Sequence, residues 1–246
     1  MYSKSYRRVL GAGEREEILD PLGQLDLKKV LVLFQKISVE HDSSSEPVIA
    51  PSQSWMLYSW NVDLHQEGKL PKEGLLVETT VVQATALYVF RRFRILTPGE
   101  VFASAYGQYV LTDLKKRRMV KIPREMIAMY ADPEFDAASI IPRKVKVTQS
   151  MTFHQTREEF VDDNGHIGNY FYVDFLREGL EGRGPTTHFD IIYSKELLHP
   201  QGFAMAKTQG PQVAFTFWDE EQKRIHTSGH LSFLTEEGPF DTIKKL

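Results

Sequence analysis

Arg15-Glu16-Glu17-Ile18-Leu19-Asp20-Pro21-Leu22-Gly23-Gln24-Leu25 returns later in the chain as Arg157-Glu158-Glu159-Phe160-Val161-Asp162-Asp163-Asn164-Gly165-His166-Ile167, at a constant offset of 142 residues (162 − 20). Five positions are identical and three more exchange one apolar residue for another. The segments downstream of the two copies are also alike. An apolar series at Leu27, Val30, Leu31, Phe34 and Ile37 succeeds the first, and one at Tyr170, Val173, Leu176 and Leu180 succeeds the second, both at the spacing of a buried helix face. Strand-like runs come next: Trp55 to Leu64, Leu75 to Leu96 and Val101 to Leu111 in the first half, then Phe189 to Leu197, Phe203 to Trp218 and Ile225 to Leu234 in the second. A repeat of both motif and element order predicts a duplicated fold.

Each half reads as a leading strand, a glycine-containing turn, one long helix and a run of antiparallel strands, the pattern of a curved sheet wrapped around a helix. This α+β layout is the hot-dog, and the sequence predicts it in tandem: an N-terminal unit over residues 1–118, a crossing linker over 119–144 and a C-terminal unit over 145–246. In the linker Pro123, Pro133 and Pro142 interrupt any strand alternation, and a short helix is expected around Arg124 to Tyr130. The Ser/Pro-rich stretch Asp42 to Ser54 is expected to be a loop.

Composition narrows the functional classes. With 246 residues, 41% hydrophobic and 26% charged, the chain can bury a substantial core. Thirty Lys+Arg against 33 Asp+Glu give a formal charge of −3, without the basic excess that a nucleic acid partner would require. The absence of cysteine removes disulfides, thiolate nucleophiles and Cys-based metal sites, and is compatible with a reducing cytosol. No apolar run approaches the roughly 18 residues of a membrane span, and Met1 to Gly13 lacks the apolar core of a secretory signal, so a cytoplasmic location is expected.

The two copies are most informative where they differ. Leu22 becomes Asn164 and Gln24 becomes His166, so only the second half sets an acid, an amide and an imidazole at alternate positions, Asp162, Asn164 and His166, before a helix. The backbone amides of Ile167, Gly168 and Asn169, at the predicted helix start, could receive a developing oxyanion. A neutral imidazole beside them can orient or activate water, and Gly165 is expected to clear room for a substrate. The plainer alternative is a capped helix start in which His166 is an ordinary packed residue.

Asp162-Asp163-Asn164-Gly165-His166-Ile167-Gly168-Asn169-Tyr170 resembles the D-x-N-x-H-V-N-N segment of the acyl-acyl carrier protein (acyl-ACP) thioesterases, and more loosely the D-x-x-G-H-x-x-N segment of hot-dog acyl-CoA thioesterases. Thr97-Pro98-Gly99-Glu100-Val101 and Lys116-Arg117-Arg118-Met119-Val120-Lys121-Ile122-Pro123-Arg124-Glu125 resemble the T-G-E turn and T-R-R-L-S-K-I-P-x-E run of the acyl-ACP enzymes, so the resemblance touches both halves. It implies that Asp162, Asn164 and His166 are catalytic. The family's glutamate falls on Glu196, in Tyr193-Ser194-Lys195-Glu196, 30 residues past the histidine (196 − 166). Two departures stand out: Leu197 occupies the place where the family often has cysteine, which excludes a thiol mechanism, and Gly168 replaces the first of two asparagines.

The activity implied by the resemblance is hydrolysis of a fatty-acyl thioester on the phosphopantetheine arm of acyl carrier protein, to free fatty acid and holo-carrier, in fatty acid biosynthesis of a bacterial cytosol. No metal and no organic cofactor is implied. Water is activated by Glu196 or His166, with attack by the Asp162 carboxylate as the alternative. The carrier is acidic, which points to basic docking residues: Arg91, Arg92 and Arg94, and the denser Lys115, Lys116, Arg117, Arg118, Lys121 and Arg124. Phe34, Trp55, Trp60, Tyr88 and Phe90 are candidate walls of an acyl pocket. Three rivals stay open at this point: an acyl-CoA thioesterase, a non-catalytic acyl-binding module, and an (R)-specific enoyl hydratase. The hydratase D-x-N-P-x-H motif sets its histidine three residues past the asparagine, whereas here the gap is two (166 − 164) and Gly165 replaces the proline. Fused halves already form a pseudo-dimer, so monomer and homodimer are both compatible with the sequence.

Overall fold

The computed structural model describes residues 4–43, 49–66, 69–130, 132, 134–162, 165–219 and 224–234. The first half runs β1 (Ser5–Val9), α1 (Ala12–Glu17), α2 (Leu27–Ser43), β2 (Gln53–Leu64), β3 (Leu76–Ala84), β4 (Val89–Leu96) and β5 (Val101–Asp113). After β6 (Arg118–Met119) and α3 (Arg124–Met129) the second half runs β7 (Thr152–Gln155), α4 (Tyr172–Arg177), β8 (Thr186–Tyr193), β9 (Gly202–Lys207), β10 (Gln212–Asp219) and β11 (Ile225–Phe233).

The strands form one large antiparallel sheet in the order β1-β3-β4-β5-β2-β8-β11-β10-β9-β7, with β6 attached to β5. Read inward from its two edges, the order is β1-β3-β4-β5-β2 on one side and β7-β9-β10-β11-β8 on the other, the same path with every strand number raised by six. The repeat in the sequence is therefore a repeat in topology. The two paths meet where β2 pairs with β8, from Ser59↔Ile192 to Asp63↔His188. The predicted runs Leu75 to Leu96 and Phe203 to Trp218 are each a hairpin of two strands. The run from Phe189 leaves the sheet at Tyr193, before Leu197.

Helix α2 follows its apolar period closely: Leu27, Val30, Leu31, Phe34 and Ile37 are all at most 1% exposed. Asp26 caps it, its carboxylate accepting the Lys29 N–H at 3.0 Å. Phe34 stacks on Phe93 of β4, with ring centroids 5.2 Å apart, and tilts against Trp60 of β2 at 6.4 Å. Burial of such a ring is worth about 2–3 kcal/mol, and it fixes the helix on the inner face of the sheet.

The second helix is shorter than predicted. A 3-10 turn at Asn169–Phe171 leads into α4, which stops at Arg177. Gly179 and Gly182, at φ 73° and 76°, turn the backbone left-handed and divert the chain, so Leu180 is buried beyond the helix rather than on its face. Its inner residues still anchor it: Phe175 meets Phe203 edge-on at 5.0 Å and Tyr172 meets Phe217 at 5.2 Å. The two helices touch through the ion pairs Lys28–Asp174 at 2.5 Å and Arg177–Asp26 at 2.8 Å.

Between the halves, α3 occupies the place where a short helix is expected, and Met126 and Tyr130 are buried with Val81, Val89 and Leu111. Pro133 lies outside the described residues. The stretch expected as a loop from Asp42 to Ser54 is narrower, because α2 extends to Ser43 and β2 starts at Gln53; residues 44–48 lie outside the described residues. Among the described residues no helix is long and apolar enough to cross a membrane.

The seam between the halves carries a charged ladder. His188 Nδ1 lies 2.7 Å from Asp63 Oδ1 on β2, its Nε2 lies 3.4 Å from Asp190 Oδ2, and His230 Nδ1 lies 3.2 Å from Asp190. Burial would lower the His188 pKa, but hydrogen bonds to Asp190 and Asp63, reinforced by their charges, raise it to about 9. A folded-state pKa above the unfolded value adds stability that is complete below about pH 6.5 and disappears as pH rises through about 9. His188→Gln should therefore cost about 1–2 kcal/mol at neutral pH, below the full linkage value because Asp63 is half exposed. Urea melts at pH 6.5, 8 and 9.5 check this: the deficit of the variant should shrink with pH, and a constant deficit would assign the loss to packing instead.

Candidate functional site

Both copies of the repeat fold into the same turn. In the first, the Asp20 N–H donates to the Gln24 carbonyl at 2.8 Å and the Gly23 N–H to the Asp20 carbonyl at 3.0 Å; in the second, Asp162 donates to His166 at 2.7 Å and Gly165 to Asp162 at 2.9 Å. Gly23 and Gly165 both sit at φ 79°, in the left-handed region. A Cβ built at either would meet nothing within 4 Å. The left-handed backbone alone calls for glycine at both positions, and the open space beside Gly165 is compatible with the substrate clearance expected there.

The acids repeat as well. Asp20 Oδ1 accepts the Gln24 N–H at 2.9 Å, and Asp162 Oδ1 accepts the His166 N–H at 3.1 Å. An acid at this position holds the turn in both halves, so Asp162 is explained by local folding before any chemistry is invoked. The chemical difference between the copies rests on His166 in place of Gln24, and on Asn164, which lies outside the described residues.

Long-range pairing brings the predicted glutamate to the histidine. The Ile167 N–H donates to the Leu197 carbonyl at 3.0 Å and His166 bridges to Leu198, which fastens the loop after β8 against the turn. Glu196, on that loop, places Oε2 3.2 Å from His166 Nε2. The His166 side chain is 15% exposed and that of Glu196 44%, so the imidazole lies deeper than the carboxylate. His166 Nδ1 is buried without a hydrogen-bond partner among the described residues.

A residue from the other half completes this group. Arg117, in the turn between β5 and β6, sits at φ 47°, a conformation that costs a non-glycine residue about 1 kcal/mol. Asp113 shapes the turn, its carboxylate accepting the Lys115 and Lys116 N–H groups at 3.0 and 2.9 Å. Arg117 Nη2 reaches to 3.3 Å from His166 Nε2 and 3.9 Å from Glu196 Oε2. The ring nitrogen carries at most one proton. When Nε2–H donates to Glu196 it cannot also accept from the guanidinium, whose N–H is then available to an incoming oxygen. Sequence reasoning places Arg117 only among docking residues.

Two of the three candidate oxyanion amides are already engaged. The Ile167 N–H is held by the Leu197 carbonyl and the Gly168 N–H by the Phe160 carbonyl at 2.9 Å. That leaves Asn169, first residue of the 3-10 turn, whose carbonyl accepts the Tyr193 hydroxyl at 2.9 Å and is thereby fixed in place.

The basic residues divide into two groups. Arg91 is 5% exposed and donates to Asp42 at 2.7 Å, so no partner surface can reach it. Arg94 is paired with Glu78, and Arg92 is half-buried with its Nε enclosed. Arg91 and Arg94 are thus engaged within the fold. Lys115, Lys116, Arg118, Lys121 and Arg124 are exposed on the β5–β6 turn and the approach to α3, around Arg117.

A cavity of about 430 Å³ lies between α2 and strands β2 to β5, and it extends to Asp162 and Asn169 of the second half. Its apolar walls are Trp55, Leu57, Val81, Val89 and Met126. Of the residues expected there, Trp55 is in the lining, whereas Phe34, Trp60 and Phe90 are core at 0–2% exposure and Tyr88 stands outside the lining.

Residues 17–130 match the family model of the acyl-ACP thioesterase N-terminal domain. No curated protein matches the chain in sequence. Among solved structures the chain is similar to the 12:0-ACP thioesterase from Umbellularia californica, with a TM-score of 0.75 and 17% identity over 94% of this chain and 98% of that one. It is also similar to an acyl-ACP thioesterase from Bacteroides thetaiotaomicron, with a TM-score of 0.71 and 16% identity over 93% and 96% of the two chains. At such identities the likeness is one of fold.

Proposed function

We propose, from the match of residues 17–130 to the acyl-ACP thioesterase N-terminal domain model, that the chain is a thioester hydrolase of that family and hydrolyses fatty-acyl thioesters of acyl carrier protein to free fatty acid and holo-carrier. The observation that carries this reading is the His166–Glu196 contact at 3.2 Å, on a turn whose Asp162 and neighbouring Asn169 border the 430 Å³ cavity. We read the sheet as two hot-dog units, residues 1–118 and 145–246, joined by the crossing segment 119–144. The identical strand path of the two halves supports that division. The first unit supplies the walls of the acyl pocket and the second the catalytic pair.

In this mechanism His166 and Glu196 take a proton from water as its oxygen bonds to the thioester carbon. The oxyanion that forms is stabilised by the Arg117 guanidinium and the Asn169 amide. Collapse breaks the C–S bond, and the thiolate leaves with the proton held by the base pair. Leu197 offers no thiol for an acyl-enzyme route. The exposed Lys115, Lys116, Arg118, Lys121 and Arg124 form the docking surface for the acidic carrier.

Free thiol release, measured with carrier-bound and CoA-bound acyl chains of matched length, tests the reading. Turnover on the carrier-bound set is expected. Release from CoA esters alone would make the protein an acyl-CoA thioesterase, and acyl binding without release would make it a binding module.

A further inference from the structure

Two buried tyrosines tie the segment that carries Glu196 to the segment that carries the Asn169 amide, each reaching across from one to the other. Tyr193 ends β8, three residues before Glu196, and its hydroxyl donates to the Asn169 carbonyl at 2.9 Å. Tyr172 opens α4, three residues after Asn169, and its hydroxyl engages the backbone of Leu197, the residue next to Glu196. The two rings meet edge-on with centroids 5.1 Å apart, and Phe217 holds Tyr172 from a second side at 5.2 Å. Both tyrosines are buried, so they act from behind the site and not on the substrate.

The first half shows what the fold alone requires at these places. Its Asp26 N–H donates to the Ile18 carbonyl as Gly168 donates to Phe160, both at 2.9 Å, so the offset of 142 residues holds into the helix. Tyr172 then corresponds to Val30 (172 − 142) and Asn169 to Leu27 (169 − 142), both fully buried. An apolar side chain satisfies the fold at either position. A phenol hydroxyl placed there costs desolvation unless it is hydrogen-bonded. In the half that carries His166 that cost is offset by bonds running between the two segments of the site.

We propose that Tyr172 and Tyr193 form a reciprocal clasp: they are positioning residues that fix the spacing between the Glu196 carboxylate and the Asn169 amide, so that water activated at one and the oxyanion received at the other belong to the same thioester carbon. A displacement of about 1 Å between such groups is enough to cost roughly a hundredfold in rate. The clasp rests on the hydrolase reading given above and adds two positioning residues to that site.

Tyr193→Phe and Tyr172→Phe keep both rings and remove only the hydroxyls. Each should lower kcat on carrier-bound substrate by about tenfold to a hundredfold, short of the loss that outright removal of an oxyanion donor brings, with KM changed by no more than about twofold. The double variant should be little worse than either single one. Two unreactive ligands, measured by calorimetry, read the same geometry without turnover: a fatty-acyl trifluoromethyl ketone of pantetheine, whose hydrate carries tetrahedral oxygens, and the thioether of the same chain, which has no carbonyl. The variants should bind the ketone about tenfold more weakly and the thioether as the parent does. Unchanged kcat in both single variants, or an equal loss of ketone and thioether affinity, the mark of merely loosened packing, would overturn the proposal. A parent that binds the ketone and releases no thiol would sink the hydrolase reading alone, and a parent that turns over while both variants keep its kcat would sink the clasp alone.

Discussion

His166→Gln is expected to lower kcat for acyl thioester hydrolysis by about 10³-fold, with KM changed by no more than about twofold, the behaviour of a group whose contribution is made in the transition state. Glutamine is the sharpest choice because the first half carries it, as Gln24, in a turn with the same backbone hydrogen bonds and the same φ of 79° at its glycine. The substitution therefore keeps a side chain this turn already accommodates and removes only the imidazole. Glu196→Gln should cost nearly as much, since it leaves a neutral amide 3.2 Å from the ring in place of the carboxylate. The double variant should be little worse than either single one, because residues that act as a unit do not add. A His166→Gln protein that keeps kcat within tenfold of the parent, with its melting temperature intact, would remove this histidine from the chemistry.

How much of this was legible in the sequence depended on whether the cause was local. The repeat was readable because its retained residues, Asp20 and Asp162, Gly23 and Gly165, are those that a tight turn demands of its own backbone. Helix α2 was readable because all five of its periodic apolar residues point one way and nothing interrupts them. Helix α4 was overextended because the apolar period continues through Leu180, while Gly179 already turns the backbone away. The engagement of the Ile167 and Gly168 amides was invisible, since their acceptors, Leu197 and Phe160, are chosen by tertiary packing. Glu196 carries no local signal and was found only through the family resemblance. Arg91 and Arg94 looked like surface charge until cross-element partners, Asp42 and Glu78, accounted for them. Arg117 reaches its site because a turn of one half lies against a turn of the other, a contact spanning 49 residues of sequence.

Arg117→Ala is expected to reduce kcat by about 10²-fold to 10³-fold on carrier-bound and CoA-bound substrates alike, with KM little altered, because a donor aimed at developing charge acts on the transition state and not on encounter. Lys116→Glu supplies the contrast. Lys116 is 62% exposed and only loosely paired with Asp113 at 3.7 Å, so its reversal should raise KM for carrier-bound substrate alone, by an amount that shrinks as salt is added. Arg117→Lys keeps the charge but loses the planar fork, and should recover only a small part of the lost rate. Arg117→Gly separates chemistry from folding. At φ 47° glycine is relieved of the steric cost that arginine bears, so this variant should melt no lower than the parent while its kcat falls with that of the alanine variant. A purely structural arginine would instead lower the melting temperature when removed, and a purely docking arginine would raise KM on the carrier while sparing CoA esters. Kinetics on both substrates with one thermal melt thus assign Arg117 to one of three roles, and only a loss of kcat without loss of stability or of carrier affinity keeps it in the catalytic group.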